Sequence, residues 1–297
     1  MRFEDEFSAL RSEIEDQLQA LTGYAEDCMQ APVIDAMRYS LLGGGKRIRA
    51  VLALSFCQAF GSPTACAMPA ACALEMIHAY SLIHDDLPCM DDDDLRRGKP
   101  SNHKQFGEGL AVLAGDGLLT LAFEVLSDEQ AQALLGSDRA LALVRILSKA
   151  SGEYGMLGGQ TVDVISEGKS LTLPQHREMV AMKTGALIRA AVHCGCVAAG
   201  ASAEQTGLAL SYAEKIGLAF QITDDILDVT GDSAVLGKNI GSDERAHKVT
   251  FVSLLGLEAA QREADRIFES AQRDLAALFP ENTLLPSLTR LLARRTA

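Results

Sequence analysis

Tryptophan is absent from this sequence, and aromatic residues of all kinds make up only 5% of it. That poverty argues against a β-sandwich and favours closely packed helices. Positive charge is also short, with 27 Lys and Arg against 40 Asp and Glu and a formal net charge of −13. A general nucleic-acid or anionic-membrane surface is thereby excluded. Cysteine occurs seven times, at 28, 57, 66, 72, 89, 194 and 196, with no CxxC pair and one left over by count. A disulfide framework or zinc site does not follow from that spacing, and a reducing cytoplasm is the expected compartment. The beginning, MRFEDEFSALRSEIED, is acidic and lacks the basic-then-apolar pattern of a signal peptide. Residues 50–74 carry no charge, yet GSPT and Pro69 interrupt them, so no membrane span is expected.

What is there is apolar and helical in its spacing. Hydrophobic residues make up 48% of the 297, dominated by Ala and Leu. Helical periodicity predicts helices near 4–20, 32–42, 46–60, 66–87, 110–127, 139–155, 175–199, 204–230 and 250–276. Gly43 to Gly45, Gly61 to Pro63, Gly158 to Gly159 and EGKSLTLP punctuate these as turns. No long Pro/Ser linker divides them, so residues 1–297 read as a single all-α domain. The stretch 231–248, GDSAVLGKNIGSDERAHK, reads as a loop beside a site, serving either as a lid or as a plain surface connection.

Two acidic clusters stand far apart: Asp85, Asp86 and Asp91 to Asp94 in DDLPCMDDDD, then Asp224, Asp225 and Asp228 in FQITDDILD. Gln221, Asp224, Asp225 and Asp228 fall at i, i+3, i+4 and i+7, on one face of one helix. Their flanks are apolar enough to bury, and buried charge must be paired or metal-bound. Leu74, His78, Ser81 and Asp85 likewise share a face that leads to the first cluster. Pro88 should end that helix just after Asp86, leaving either Asp91 or Asp92 to join Asp85. If both clusters face one cavity, hard divalent cations could bridge them to a diphosphate. A solvated helix face and a solvated aspartate turn are the plainer alternatives.

Cations gather in two short segments, GGGKRIR and DLRRGK. Lys46, Arg47 and Arg49 at a helix start favour a phosphate, and Arg96 and Arg97 follow the aspartates directly. Salt bridges to neighbouring acids are the competing use. An EF-hand lacks its glycine and closing glutamate here, and a Walker A loop lacks its spacing and Ser/Thr.

Taken together, GGGKRIR, EMIHAYSLIHDDLPCMDDDDLRRGKPSNHKQFGE, HREMVAMKTGALIRAAV and FQITDDILDVTGD resemble the trans-isoprenyl diphosphate synthases over about residues 30 to 260. Bacterial farnesyl-forming members look closest. The resemblance implies an isoprenoid-synthase helical bundle around a deep cavity, a homodimer, and three Mg2+ ions between the two acidic motifs. It implies Asp85, Asp91 and Asp224 as metal ligands, with Asp86 and Asp228 as ligands or close partners. Lys46, Arg49, His78 and Arg97 would bind isopentenyl diphosphate. Arg96, Lys183 and Lys238 would hold an allylic diphosphate, dimethylallyl or geranyl, and Lys248 would keep a phosphate role. Thr184 and Gln221 would steady the carbocation. Many relatives read Gly-Lys-Ser/Thr-Thr-Tyr where this chain has His247-Lys248-Val249-Thr250-Phe251, a change that bears on how the loop closes.

Chain length should depend on the depth of the pocket below Asp85, where Tyr80 and Ser81 lie one turn away. A growing tail would meet an inward Tyr80 ring, and the resemblance to relatives with an aromatic here and the two-residue insertion between aspartates implies a stop at fifteen carbons, farnesyl diphosphate. The LPCMD wording also resembles geranylgeranyl synthases, which, like a geranyl-forming enzyme, is the alternative. A terpene cyclase should lack DDILD, a non-catalytic partner subunit often loses a motif, and a diphosphatase would not need long apolar helices.

Overall fold

The computed structural model describes residues 2–25, 27–230 and 248–294. Its helices are α1 (Phe3–Leu21), α2 (Ala31–Leu41), α3 (Ile48–Ala59), α4 (Met68–Asp85), α5 (Asn102–Phe106), α6 (Glu108–Ser127), α7 (Glu129–Leu135) and α8 (Ser137–Ser151). They continue as α9 (Met156–Ile165), α10 (Leu173–Val180), α11 (Ala186–Ala199), α12 (Ala203–Thr230), α13 (Phe251–Leu255), α14 (Leu257–Leu278) and α15 (Leu284–Arg294). Among the described residues the only strands are the two-residue β1 (Leu95–Arg96) and β2 (Lys99–Pro100), paired antiparallel. The fold is all-α.

Helix α4 passes through the middle of the molecule. Pro69 opens its first turn, where a missing N–H is harmless, and residues 70–77 are buried on every side. It ends at Asp85 because Pro88 lies just ahead. Glu75 is buried within it, and a buried carboxylate needs a partner. Arg47 supplies it at 3.3 Å, the Ala50 N–H adds a hydrogen bond of 3.2 Å, and Glu15 holds Arg47 from the far side at 2.7 Å.

The helices close into a ring: α4 packs on α6, α6 on α8, α8 on α9, and α9 on a π-helical turn at Ala181–Gly185. That turn packs on α12, α12 on α11, α11 on α3, and α3 back on α4. The two acid-bearing helices, α4 and α12, are thus separate members of one ring. Helix α12 has 28 residues, a length of roughly 42 Å at helical rise. By length and composition alone, Glu108–Ser127 and Leu173–Ala199 could cross a bilayer, but here both belong to the packed ring.

Several boundaries differ from the sequence expectation. Gly158 and Gly159 do not form a turn but lie inside α9. A Cβ on Gly159 would sit 2.2 Å from the Lys183 backbone nitrogen, so the glycine serves a close crossing of α9 with the π-helical turn. The single helix expected over 175–199 is interrupted by that turn, and α5, α7 and α15 were not anticipated. Most of the loop 231–248 and the tail at 295–297 fall outside the described residues, as does Lys238. All seven cysteines are free.

Candidate active site

The chain turns back on itself after α4, and the Asp91 N–H donates to the Asp85 carbonyl at 2.8 Å. The fold-back decides which aspartate of the run stands near the helix end. Asp91 faces Lys248, with Nζ 3.4 Å from its Oδ1, whereas Asp92 has a left-handed φ of 50°. Burial pushes the Asp85 carboxyl up to about 6, against the pull of Lys183 and with Asp91 and Asp86 adding to the rise. Asp86 is buried and paired with Arg96, whose Nε lies 3.0 Å from it and whose Nη2 reaches Asp93 at 3.0 Å. Burial raises the Asp86 carboxyl, and Arg96 works in the opposite direction.

The π-helical turn carries Lys183 and Thr184. An extra residue per turn re-aims side chains, which is why such turns recur at functional sites. Both residues line two cavities, one with Asp85 and one with Gln221, Asp225 and Lys248. Lys183 Nζ lies 2.5 Å from Asp163 on α9, and Lys248 Nζ lies 4.0 Å from the same oxygen. Two ammonium groups therefore flank one carboxylate between the acidic helices.

A chain of hydrogen bonds runs from this turn through the second acidic motif. Thr184 Oγ1 donates to Gln221 Oε1 at 3.0 Å, and Gln221 Nε2 donates to Asp225 Oδ1 at 2.9 Å. The Phe251 N–H donates to Asp225 Oδ2 at 2.7 Å. Asp225 thus fixes the Gln221 amide and anchors the segment that carries Lys248. His176 stacks edge-on against Phe251, its Nε2 4.0 Å from Asp225, and burial lowers its pKa. Asp224 is half-buried and Asp228 buried on the same helix.

The remaining cations surround His78. Arg47, Arg96, Arg97 and Lys99 line a small cavity whose opposite wall is Tyr39 and Asn102. Arg97 donates to the Gly44 carbonyl and lies against Gly45, where a Cβ would be 3.0 Å from its Nη2. The glycine run lets the guanidinium approach the backbone. Arg47 is committed to Glu15 and Glu75, so it holds the fold rather than a ligand. Arg96, placed by the resemblance with the allylic diphosphate, lines the same cavity as Arg97. Lys46 is exposed ahead of α3. His78 lines this cavity and the next, and burial, with Arg49 and Arg97 beside it, keeps its imidazole neutral.

A cavity of about 480 Å³ opens below Asp85. Tyr80, Ser81, Leu87, Met90, Val112 and Leu157 give it an apolar lining, with Arg49, His78 and Lys183 also on its wall. Ser81 donates its hydroxyl to the His78 carbonyl at 3.0 Å and so adds little polarity. Arg49 Nε is buried there without a hydrogen-bond partner. A buried guanidinium N–H of that kind calls for an acceptor.

The description "Polyprenyl synthetase" matches residues 30–278. The chain belongs to that family. This polyprenyl synthetase is 48% identical over 260 residues to the farnesyl diphosphate synthase of Geobacillus stearothermophilus, covering 88% of this chain and 87% of the relative. It is also 48% identical over 248 residues to the chloroplastic geranylgeranyl pyrophosphate synthase of Catharanthus roseus, covering 83% and 69%. Among solved structures, the apo FPP/GFPP synthase of Zymomonas mobilis superposes with a TM-score of 0.85 at 36% identity, covering 99% of this chain and 98% of that one. The protein is a short-chain prenyltransferase of isoprenoid biosynthesis, and its substrates are isopentenyl and allylic diphosphates.

Magnesium suits the donors present. Asp85, Asp91 and Asp224 offer only hard carboxylate oxygens, and a divalent cation would offset the burial, and the neighbouring Asp91 and Asp86, that raise Asp85. Among the described residues no three acidic, histidine or cysteine side chains converge into a closed cage. Mg2+ seldom uses one, since it keeps waters and substrate phosphate oxygens in its shell.

Three participants escaped the sequence reading of this prenyltransferase. Gln160 and Asp163 stand at i, i+3 in GGQTVD, a polar pair that the supposed glycine turn concealed. His176 gave no signal, because a lone histidine on a helix is ordinary.

Proposed function

We propose that this chain condenses isopentenyl diphosphate with dimethylallyl and then geranyl diphosphate and stops at farnesyl diphosphate. One observation carries the product length: Tyr80, only 9% exposed, lines the apolar cavity one helical turn below Asp85. A tail that starts at Asp85 and descends along α4 meets that ring. The farnesyl diphosphate synthases among the relatives support the reading. A longer, geranylgeranyl product is the second reading, favoured by the small Ser81 beside Tyr80 and by the relative of that name.

Asp85 and Asp91 from one side, and Asp224 with Asp228 from the other, would hold the metal. Bound magnesium would neutralise the diphosphate oxygens as the allylic C1–O bond breaks with its electron pair. Lys183 and Lys248 bring positive charge to the same oxygens. Thr184 donates its hydroxyl hydrogen bond to Gln221, which leaves its oxygen lone pairs available to steady the carbocation. Lys46, Arg49, His78 and Arg97 hold isopentenyl diphosphate, whose C4 then bonds to the allylic C1. Loss of a C2 proton to the departed diphosphate restores a double bond. The apolar walls exclude water, which would trap the cation as an alcohol. A homodimer in the cytoplasm completes the proposal, supported by exposed apolar side chains such as Leu113, Leu157 and Ile165 and by seven unpaired thiols.

Product sizing by chromatography tests the floor. Tyr80→Ala should lengthen the main product by about one isoprene unit, and Ser81→Phe should shorten it, because each changes the cavity by roughly a ring's volume. Unchanged lengths in both would refute Tyr80 as the floor.

A further inference from the structure

Helix α6 carries a buried glycine, Gly115, well inside its span. An interior glycine costs a helix roughly 0.5–1 kcal/mol relative to alanine, so its presence asks for a reason. The neighbouring helix gives one. His84 of α4 lies across the position a side chain would occupy: a Cβ on Gly115 would be 2.1 Å from His84 Nε2, 2.5 Å from Cδ2 and 2.8 Å from Cε1. Even a methyl group there must move the imidazole.

The ring is held on its other sides as well. His84 Nε2 lies 3.1 Å from the Val112 carbonyl, so the imidazole donates its proton to that oxygen. One turn back on α4, Tyr80 meets the imidazole edge-on, with centroids 5.8 Å apart. His84, Val112, Tyr80 and Ser81 all line the same apolar cavity below Asp85. The imidazole is therefore both part of the cavity wall and the support of the Tyr80 ring.

We infer that His84, seated on Gly115, is a specificity-determining residue that sets how far the prenyl tail can grow. The inference rests on the prenyltransferase reading above and extends it from Tyr80 to a second layer. Gly115 closes no space itself. It lets the imidazole lie flat against α6, and the depth of the cavity follows from where that ring rests. A methyl at 115 pushes the ring off α6 towards the cavity and shortens the product. Removing the ring opens the wall and leaves Tyr80 without its edge contact, which lengthens the product.

The test sizes products from dimethylallyl diphosphate, isopentenyl diphosphate and Mg2+ for the wild type, His84→Ala, Gly115→Ala and the double variant. His84→Ala should shift the main product one isoprene unit longer, and Gly115→Ala one unit shorter. The double variant should match His84→Ala, because the methyl then has no ring to displace. His84→Phe, which leaves Gly115 in place, should shorten the product even if Gly115→Ala proves too unstable to purify. Unchanged lengths in His84→Ala and His84→Phe overturn the inference while leaving the prenyltransferase reading intact. Shortening by Gly115→Ala that persists in the double variant overturns the coupling between the two residues. A wild type that condenses nothing overturns the reading on which the inference stands.

Discussion

Asp85 sits where its charge is least comfortable, and that discomfort has a measurable sign. An ordinary carboxyl of its type loses its proton at 3.8, whereas burial moves Asp85 to about 6. The folded state therefore holds this proton more tightly than the unfolded one. Its stabilising effect is fully present below 3.8 and is lost as pH rises through about 6, after which the cost stays constant. In metal-free protein at neutral pH, Asp85→Asn should raise the melting temperature by about 2–4 °C for each kcal/mol recovered. The gain should shrink towards zero as the pH falls towards the ordinary carboxylate range. Condensation should drop by about a hundredfold or more, since a ligand for the metal that would neutralise the leaving diphosphate is gone. Thermal melts across the pH range, with and without Mg2+, check the sign. A variant less stable than wild type at neutral pH would contradict it.

At the scale of single elements, the segment from Lys248 to Phe251 shows how a remote carboxylate can shape a site. Asp225 shares the helical stripe of Asp224 and Asp228, yet its two oxygens are taken by Gln221 and by the Phe251 N–H. Asp225→Asn would set an amide against that N–H and leave a buried donor unmet, at about 1–3 kcal/mol. The expected result is a fall in kcat of about ten- to a hundredfold, with a smaller change in KM for isopentenyl diphosphate. A raised KM with kcat unchanged would mean that Asp225 acts on binding alone. The stripe itself was legible from spacing, because i, i+3, i+4 and i+7 leave one geometry. The division of labour within it was not, because that depends on a chain segment arriving from elsewhere. The same holds for Arg47, which reads like a phosphate ligand in GGGKRIR until Glu15 and Glu75 are seen to claim it. Asp91 against Asp92 was open in the sequence for a related reason: where each stands depends on the fold-back after Pro88, in which the Asp91 N–H bonds to the Asp85 carbonyl. The π-helical turn left no trace in periodicity, since one residue per turn is lost among apolar neighbours.

Across the whole molecule, an acidic chain of net charge −13 still gathers Arg47, Arg96, Arg97 and Lys99 around one histidine. The all-α class was readable from composition and period, and the family model and the superposition agree with it. Cavity depth was not readable, because Tyr80, His84 and Gly115 come from two helices whose packing no single segment records. The ring of helices ties these layers together: acids at the rim, cations to one side, and an apolar cavity beneath. The account therefore predicts a reaction with a defined end point. Purified protein given Mg2+, labelled isopentenyl diphosphate and dimethylallyl diphosphate should yield a product of fifteen carbons as the main species, and chelation should abolish it. No condensation under those conditions, or a main product of twenty carbons or more, would contradict the account.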